Sequence, residues 1–156
     1  MYIYVLILTL AMSGVLFLPQ KTAKSTTYLA WWMIALALFV GVSDMLGGYD
    51  RYIYGELFDE VADIRQEGRD FSTAYIFQQY PTELGYVYLN VLLSYFTANR
   101  YIFIFVLTLI IYALYYIDIK RCASDYRMAL LLFLGLLFFF TFTYLRQMIG
   151  VGIAGL

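Results

Sequence analysis

The stretch YIFIFVLTLIIYALYYI, residues 101–117, contains no charged side chain. A helix of this length and composition is near the lower limit for crossing the hydrocarbon core of a bilayer. Asn99 stands two residues before the stretch, and asparagine is a favoured N-cap residue. The stretch therefore predicts a membrane-spanning helix that begins just after Asn99.

The composition of the whole chain extends this prediction. Of its 156 residues, 63% are hydrophobic and 13% are charged, whereas soluble domains are about half apolar and a quarter charged. The single cysteine, Cys122, excludes an intramolecular disulfide, and the absence of histidine removes the commonest general base and metal ligand. A net charge of −1 gives no sign of a nucleic-acid partner.

Further apolar runs flank this stretch, and they predict an all-α polytopic membrane protein with one membrane domain over residues 1–156. The expected transmembrane helices are residues 2–18, 28–45, 101–117 and 128–145. The first run also has the length of a secretory signal, but no Lys or Arg precedes it, and Lys21 and Lys24 follow it. We therefore expect an uncleaved helix whose N-terminus lies outside.

Residues 44–83 form an acidic segment with nine acidic and three basic side chains. Four apolar residues recur in it at helical spacing: Ile53, Leu57, Val61 and Ile64. This spacing predicts a helix with one apolar face, which Gly68 would end. Membrane-surface helices are normally basic on their polar face. Because this helix is acidic, we expect its apolar face to pack on the protein's own transmembrane helices.

Residues 84–97 form an apolar run that reaches only about 21 Å as a helix, against a hydrocarbon core of about 30 Å. If it crossed, the loop with Lys120, Arg121 and Arg127 would share a side with the acidic segment, contrary to the positive-inside rule. We therefore expect a short interfacial or re-entrant helix. The acidic segment then lies outside, and both short basic loops lie in the cytoplasm.

The last nine residues, Met148–Leu156, are apolar but too few to cross a bilayer. They carry no flanking charge and no polar tail. We expect from this that the sequence is the N-terminal part of a longer protein.

Three short clusters carry groups capable of chemistry. The first is GGYDRYIY, residues 47–54, where two glycines allow a sharp turn. Asp50 within it has two interpretations. It either caps the following helix, or places a carboxylate at the membrane surface as a general base.

The second cluster is ELGY, residues 83–86, at the start of the short apolar helix. The charge of Glu83 suits a helix N-terminus, so a capping role is one interpretation. The other is a functional carboxylate, because the N-terminus of a helix that dips into the membrane lies near a buried cavity and also suits an anion.

The third cluster is YLRQ, residues 144–147, in which Arg146 stands between two apolar runs. An arginine near the interface can extend its charge to water at little cost. The alternative is that Arg146 faces a polar cavity, where its planar set of donors suits phosphate or diphosphate.

These three clusters, in this order, resemble the motifs of the EpsG family of Wzy-like exopolysaccharide polymerases. Asp50 followed by Tyr54 is similar to the family's aspartate-x-x-x-tyrosine, and Glu83 with Gly85 and Tyr86 to its glutamate-x-glycine-aromatic. Arg146-Gln147 before small residues is similar to its arginine-glutamine helix start. Gly150 stands where alanine is expected.

The resemblance implies a fold like that of GT-C-like polysaccharide polymerases, in a multi-pass protein of the bacterial cytoplasmic membrane. It implies glycosyl transfer between repeat units on polyprenyl diphosphate, at the outer face. Asp50 or Glu83 would be the base and Arg146 the diphosphate clamp, with Tyr54, Tyr86 and Gln147 binding substrate. No cofactor and no metal is expected. The expected partners are polyprenyl-diphosphate-linked oligosaccharide, membrane lipid and other polysaccharide-assembly proteins.

Two other functional hypotheses remain open, besides that of a truncated, inactive gene product. One is a different lipid-linked sugar enzyme, such as an O-antigen ligase, in which Asp59 and Glu60 would bind a metal with the donor phosphate. The other is a non-enzymatic transporter or assembly subunit of a polysaccharide export system, because broken helices also occur at transporter binding sites.

Overall fold

The computed structural model describes residues 2–16, 24–43 and 49–156. These residues form helices and no strand, which confirms the all-α prediction. Lys21 and the glycine pair at 47–48 lie outside the described residues. The α-helices of the described part are α1 (Tyr2–Leu16), α2 (Thr26–Val42), α3 (Tyr49–Gln66), α4 (Tyr75–Gln79), α5 (Leu84–Ser94), α6 (Arg100–Cys122), α7 (Tyr126–Leu132), α8 (Phe140–Thr143) and α9 (Leu145–Gly155).

Helix α6 is the centre of the bundle. Asn99 caps it as predicted, because its Oδ1 accepts a hydrogen bond from the Tyr101 amide at 2.8 Å. Its 23 residues span about 34 Å. Among the described residues it is the one helix long and apolar enough to cross a bilayer, whereas α2, α5 and residues 126–137 are shorter apolar helices. The number of spans stays a prediction.

Helices α2 and α6 pack antiparallel. A Cβ added to Gly41 would lie 2.6 Å from the Phe105 ring, so the two backbones approach closely near the end of α2. Towards the other end, Ala30 and Tyr116 line a common groove. The end of the bundle where α2 finishes and α3 and α6 begin is called the acidic end below.

Helix α3 covers the acidic end with its apolar face, as predicted. Leu57, Val61 and Ile64 are buried, and Phe58 stacks on Phe103 of α6 with ring centroids 4.0 Å apart. The helix ends before Gly68, which adopts a left-handed backbone with φ of 67°. The acidic helix therefore rests on the protein's own apolar helices.

The opposite end of the bundle carries Lys24, just before α2, and the basic loop between α6 and α7. Arg127 donates a hydrogen bond from Nη2 to the backbone oxygen of Leu16 at 3.1 Å, which brings the start of α7 to the end of α1. Lys120 and Arg121 lie at the end of α6. We call this the basic end.

The segment expected as one span at residues 128–145 is helical but interrupted. Helix α7 passes into a π-helical turn, Phe133–Leu137, and α8 stops at Thr143. At Tyr144 the backbone leaves helical geometry, with φ of −100° and ψ of 53°. Helix α9 then begins, so Arg146 lies in the first turn of a separate helix.

The chain reverses direction at Tyr144. Phe142 packs edge-on against Phe39, near the end of α2, with centroids 6.1 Å apart. Eleven residues beyond the break, a Cβ on Gly155 would lie 2.8 Å from the carboxyl carbon of Asp118. Residues 126–155 therefore rise from the basic end and return to it, with the reversal close to the acidic end.

Candidate functional site

The three clusters of the sequence meet where α9 begins, beside α3 and α5. A cavity of about 150 Å³ lies between them. It is lined by Asp50, Ile53, Tyr54, Tyr80, Tyr144, Arg146 and Gln147. Four of the six residues expected at the site therefore line one cavity. The other two, Glu83 and Tyr86, contact the residues of its wall.

Arg146 is held on two sides. Its Nε donates to Glu83 Oε2 at 2.9 Å, and its guanidinium lies over the Tyr80 ring, with Cζ 4.2 Å from the ring centroid. Its Nη1 is buried and donates to no group among the described residues. A buried donor without a partner is costly unless a ligand satisfies it. The geometry thus fixes the guanidinium and leaves it an unused donor.

Glu83 occupies the N-cap position of α5, but its side chain caps nothing. Its backbone oxygen accepts from the Tyr86 amide at 3.0 Å and the Val87 amide at 3.2 Å. The carboxylate turns to Arg146 instead, where 40% of the side chain remains exposed. Glu83 therefore occupies the N-cap position that one interpretation predicted, but its side chain does not cap the helix.

Asp50 is the second residue of α3 and half-buried. A carboxylate in the first turn interacts favourably with the helix dipole. The same carboxylate belongs to the wall that contains Arg146. Both interpretations of Asp50 are compatible with this position.

Tyr54 and Gln147 join α3 to α9. The Tyr54 hydroxyl donates to Gln147 Oε1 at 3.4 Å, a long hydrogen bond. Burial raises the pKa of Tyr54 to about 12, so the phenol remains neutral and available as a donor. These two residues present polar groups to the cavity beside the guanidinium.

Tyr86 lies behind the wall of the cavity. Its ring packs edge-on against Tyr54 and Tyr80, with centroids 6.0 and 6.3 Å away. The residue is 8% exposed. In this structure Tyr86 supports the two tyrosines that face the cavity, and its predicted contact with substrate stays a prediction.

Three lining residues, Ile53, Tyr80 and Tyr144, were not assigned to the site from the sequence. Pro81 marks Tyr80 as a turn residue, and α4 does end just before it. No sequence signal shows that its ring lies on Arg146. Tyr144 ends a helix without a nearby proline or glycine, so local sequence did not indicate the break.

The start of α9 suits an anion. No side chain caps this helix, and the first amides of a helix have no partner within it. The Arg146 guanidinium adds charged donors of the kind that phosphate oxygens accept from. The carboxylates Asp59 and Glu60 are engaged elsewhere: Asp59 accepts from Arg100 Nε at 3.0 Å and Glu60 from the Tyr75 amide at 2.9 Å.

Comparison with known proteins identifies the family of the chain. No curated protein and no solved structure matches the chain. The model of the EpsG family matches residues 28–156, a range that includes all three clusters. With its motifs gathered in one place on a helical bundle, the chain belongs to the EpsG family.

Proposed function

We propose that this protein polymerises lipid-linked oligosaccharide repeat units in exopolysaccharide or capsule synthesis. The reaction is glycosyl transfer from a polyprenyl diphosphate carrier at the outer face of the cytoplasmic membrane. The observation that carries the proposal is the cavity where Asp50 and Arg146 face a common space. A carboxylate and a guanidinium in one small cavity supply the two charges that this reaction requires.

The chemistry assigns a role to each charge. A hydroxyl oxygen of the acceptor sugar attacks the anomeric carbon of the donor, and the bond from that carbon to the diphosphate oxygen breaks. The electron pair leaves with the diphosphate, whose growing charge Arg146 and the α9 N-terminus stabilise. The hydroxyl proton passes to the Asp50 carboxylate. Tyr54 and Gln147 bind sugar hydroxyls.

The ion pair of Glu83 favours Asp50 as the base. The Glu83 carboxylate accepts from Arg146 Nε at 2.9 Å and does not line the cavity, whereas Asp50 does. Glu83 then orients the guanidinium, with Tyr80 beneath it. In this arrangement Glu83 is a positioning residue and Arg146 presents its remaining donors to the diphosphate.

The proposed membrane placement follows the charges. The basic end lies in the cytoplasm, the N-terminus and acidic end lie outside, and four segments span. Helix α5 has 11 residues and rises about 16 Å, which supports a helix that does not cross. Membrane lipid and other polysaccharide-assembly proteins are the proposed neighbours.

The test is polymer length in cells that carry Asp50→Asn or Arg146→Ala in the complete protein. We expect each variant to lose about 100-fold or more of polymerisation while remaining in the membrane. The matched control is Arg69→Ala, because Arg69 also pairs with a glutamate but is 54% exposed. Normal long polymer from both site variants would overturn the proposal.

The interrupted segment 126–155 favours one other function, that of a transporter of lipid-linked oligosaccharide. Such a protein binds the same substrate without breaking its anomeric bond. Purified protein that binds lipid-linked oligosaccharide and never lengthens it, with Asp50→Asn still functional in cells, would support transport.

A further inference from the structure

A second, larger cavity lies on the other side of the first turn of α3. Its volume is about 580 Å³, within the range of small-molecule sites. Of the described residues, those that line it are Gly41–Ser43 at the end of α2, Arg51 and Tyr52 of α3, and Arg100–Ile102 with Ile104 and Phe105 of α6. None of these residues lines the cavity of Arg146.

One part of this cavity is apolar and open. Val42 is 74% exposed and Ile102 is 50% exposed, with the Phe105 ring between α2 and α6. Both helices belong to predicted spans, so this wall faces the hydrocarbon of the outer leaflet in the proposed placement. Such a groove accepts an aliphatic chain without desolvating polar groups.

The charged side chains that the described part of the chain contributes to the lining are positive. Arg51 is buried and donates from Nη2 to the backbone oxygens of Val40 at 2.9 Å and Gly41 at 3.3 Å, so it is fixed at the end of α2. Arg100 lies in the first turn of α6, with Cζ 5.8 Å from the Tyr52 ring centroid. Both charged side chains among the described lining residues are arginines.

The nearest carboxylate to Arg100 stands outside the lining. Asp59 accepts from Arg100 Nε at 3.0 Å, and it lines a neighbouring shallow depression instead. The start of α6 adds the positive end of a helix of 23 residues. An anionic head group with an apolar chain matches this distribution.

We infer that this cavity binds the phosphate head and the first isoprene units of a second lipid-linked substrate. The inference rests on the proposed function, in which donor and acceptor each carry a polyprenyl diphosphate and Arg146 holds only the leaving one. Asp50 lines the first cavity and Arg51 the second, so the two sites flank the first turn of α3. The base then stands between the two substrates.

The test is the number of polyprenyl phosphate molecules bound by the complete protein in nanodiscs of neutral lipid. Wild type binds two. Arg100→Gln removes a charge, and Val42→Trp fills the apolar groove. Each of these variants binds one polyprenyl phosphate with unchanged affinity and the second about tenfold more weakly. Arg146→Ala weakens the binding of one polyprenyl phosphate by the same factor. The double variant Arg146→Ala with Arg100→Gln weakens the binding of both. Arg51 is left intact because it holds the end of α2.

The control variant is Ile34→Trp, which fills an apolar groove between α2 and α6 that has no arginine in its lining; it binds two. The inference would be overturned if Arg100→Gln and Val42→Trp each bound two polyprenyl phosphates with wild-type affinity. Equal competition by phosphatidylglycerol would also overturn it, because the site would then be one for ordinary phospholipid. The proposed function fails separately, by normal polymer from Asp50→Asn and Arg146→Ala.

Discussion

The guanidinium of Arg146 lies over the ring of Tyr80, with 4.2 Å between Cζ and the ring centroid. Tyr80 follows α4 and Arg146 belongs to α9, and the guanidinium packs on the face of the ring. A cation over an aromatic face is stabilised by the ring quadrupole. This contact therefore sets the plane in which Arg146 presents its donors.

Two substitutions of Tyr80 distinguish the contribution of its aromatic ring from that of its hydroxyl. Tyr80→Phe keeps the aromatic face, and we expect near-normal polymer length. Tyr80→Leu removes the face, and polymerisation in membrane vesicles should fall roughly 3- to 30-fold. Equal loss in both variants would show that the hydroxyl is the important group and would contradict the stacking role.

Tyr54 is expected to act as a neutral donor. Because its pKa is raised to about 12, above the usual value of about 10, the buried neutral form contributes stability that is present below pH 10 and lost as pH rises through 12. Tyr54→Phe should reduce polymerisation by about two- to tenfold, with the same ratio from about pH 6 to about pH 9. A ratio that changes across this interval would indicate that Tyr54 titrates during the reaction.

Two glycines of α9 allow the same substitution in opposite environments. A Cβ on Gly152 would lie 2.9 Å from the Leu114 Cβ, whereas one on Gly150 would meet nothing within 4 Å. Gly152→Ala should therefore destabilise the protein by about 1 kcal/mol or more through overpacking. Gly150→Ala should stabilise it by about 0.5–1 kcal/mol through helix propensity.

The measurement is thermal unfolding of the purified, detergent-solubilised protein. The pair provides its own control, because the two variants differ only in position. Equal midpoints would contradict the close approach of α9 and α6 on which the position of Arg146 depends.

The proposed orientation places Cys122 in the cytoplasm. The side chain is exposed at the basic end, so a membrane-impermeant maleimide should label it only after the cells are permeabilised. In a Cys122→Ser background, cysteine at the exposed position Gln79 should label in intact cells. Labelling of Cys122 in intact cells would show that the orientation is the reverse of the proposed one. It would contradict a site at the outer face of the membrane.

The sequence predicted most of the helices because their signals are local. Apolar runs marked α2 and α6, the spacing of Leu57, Val61 and Ile64 marked the buried face of α3, and Asn99 marked a cap. The interruptions at residues 133–137 and at Tyr144 were missed. The apolar residues around them suit a continuous helix as well as a broken one, so no local preference distinguishes the two.

The candidate site was predicted less completely. Asp50, Glu83 and Arg146 were selected as charges beside apolar segments, but their pairing depends on how separate helices pack. The bond between Arg146 and Glu83 and the stacking on Tyr80 are tertiary contacts. No pattern along the chain encodes them, since the partners lie far apart in sequence.

The π-helical turn has a consequence for the direction of the side chains of α8, Phe140–Thr143. The Phe138 amide donates to the Phe133 oxygen at 2.9 Å, five residues back, where an α-helix would use the fourth. Each residue of an α-helix turns the chain by about 100°. Deleting one residue here would restore regular geometry and rotate Thr141 away from the Tyr112 hydroxyl, which it now meets at 3.0 Å. The additional residue thus sets the direction in which the side chains of α8 point, up to the break at Tyr144.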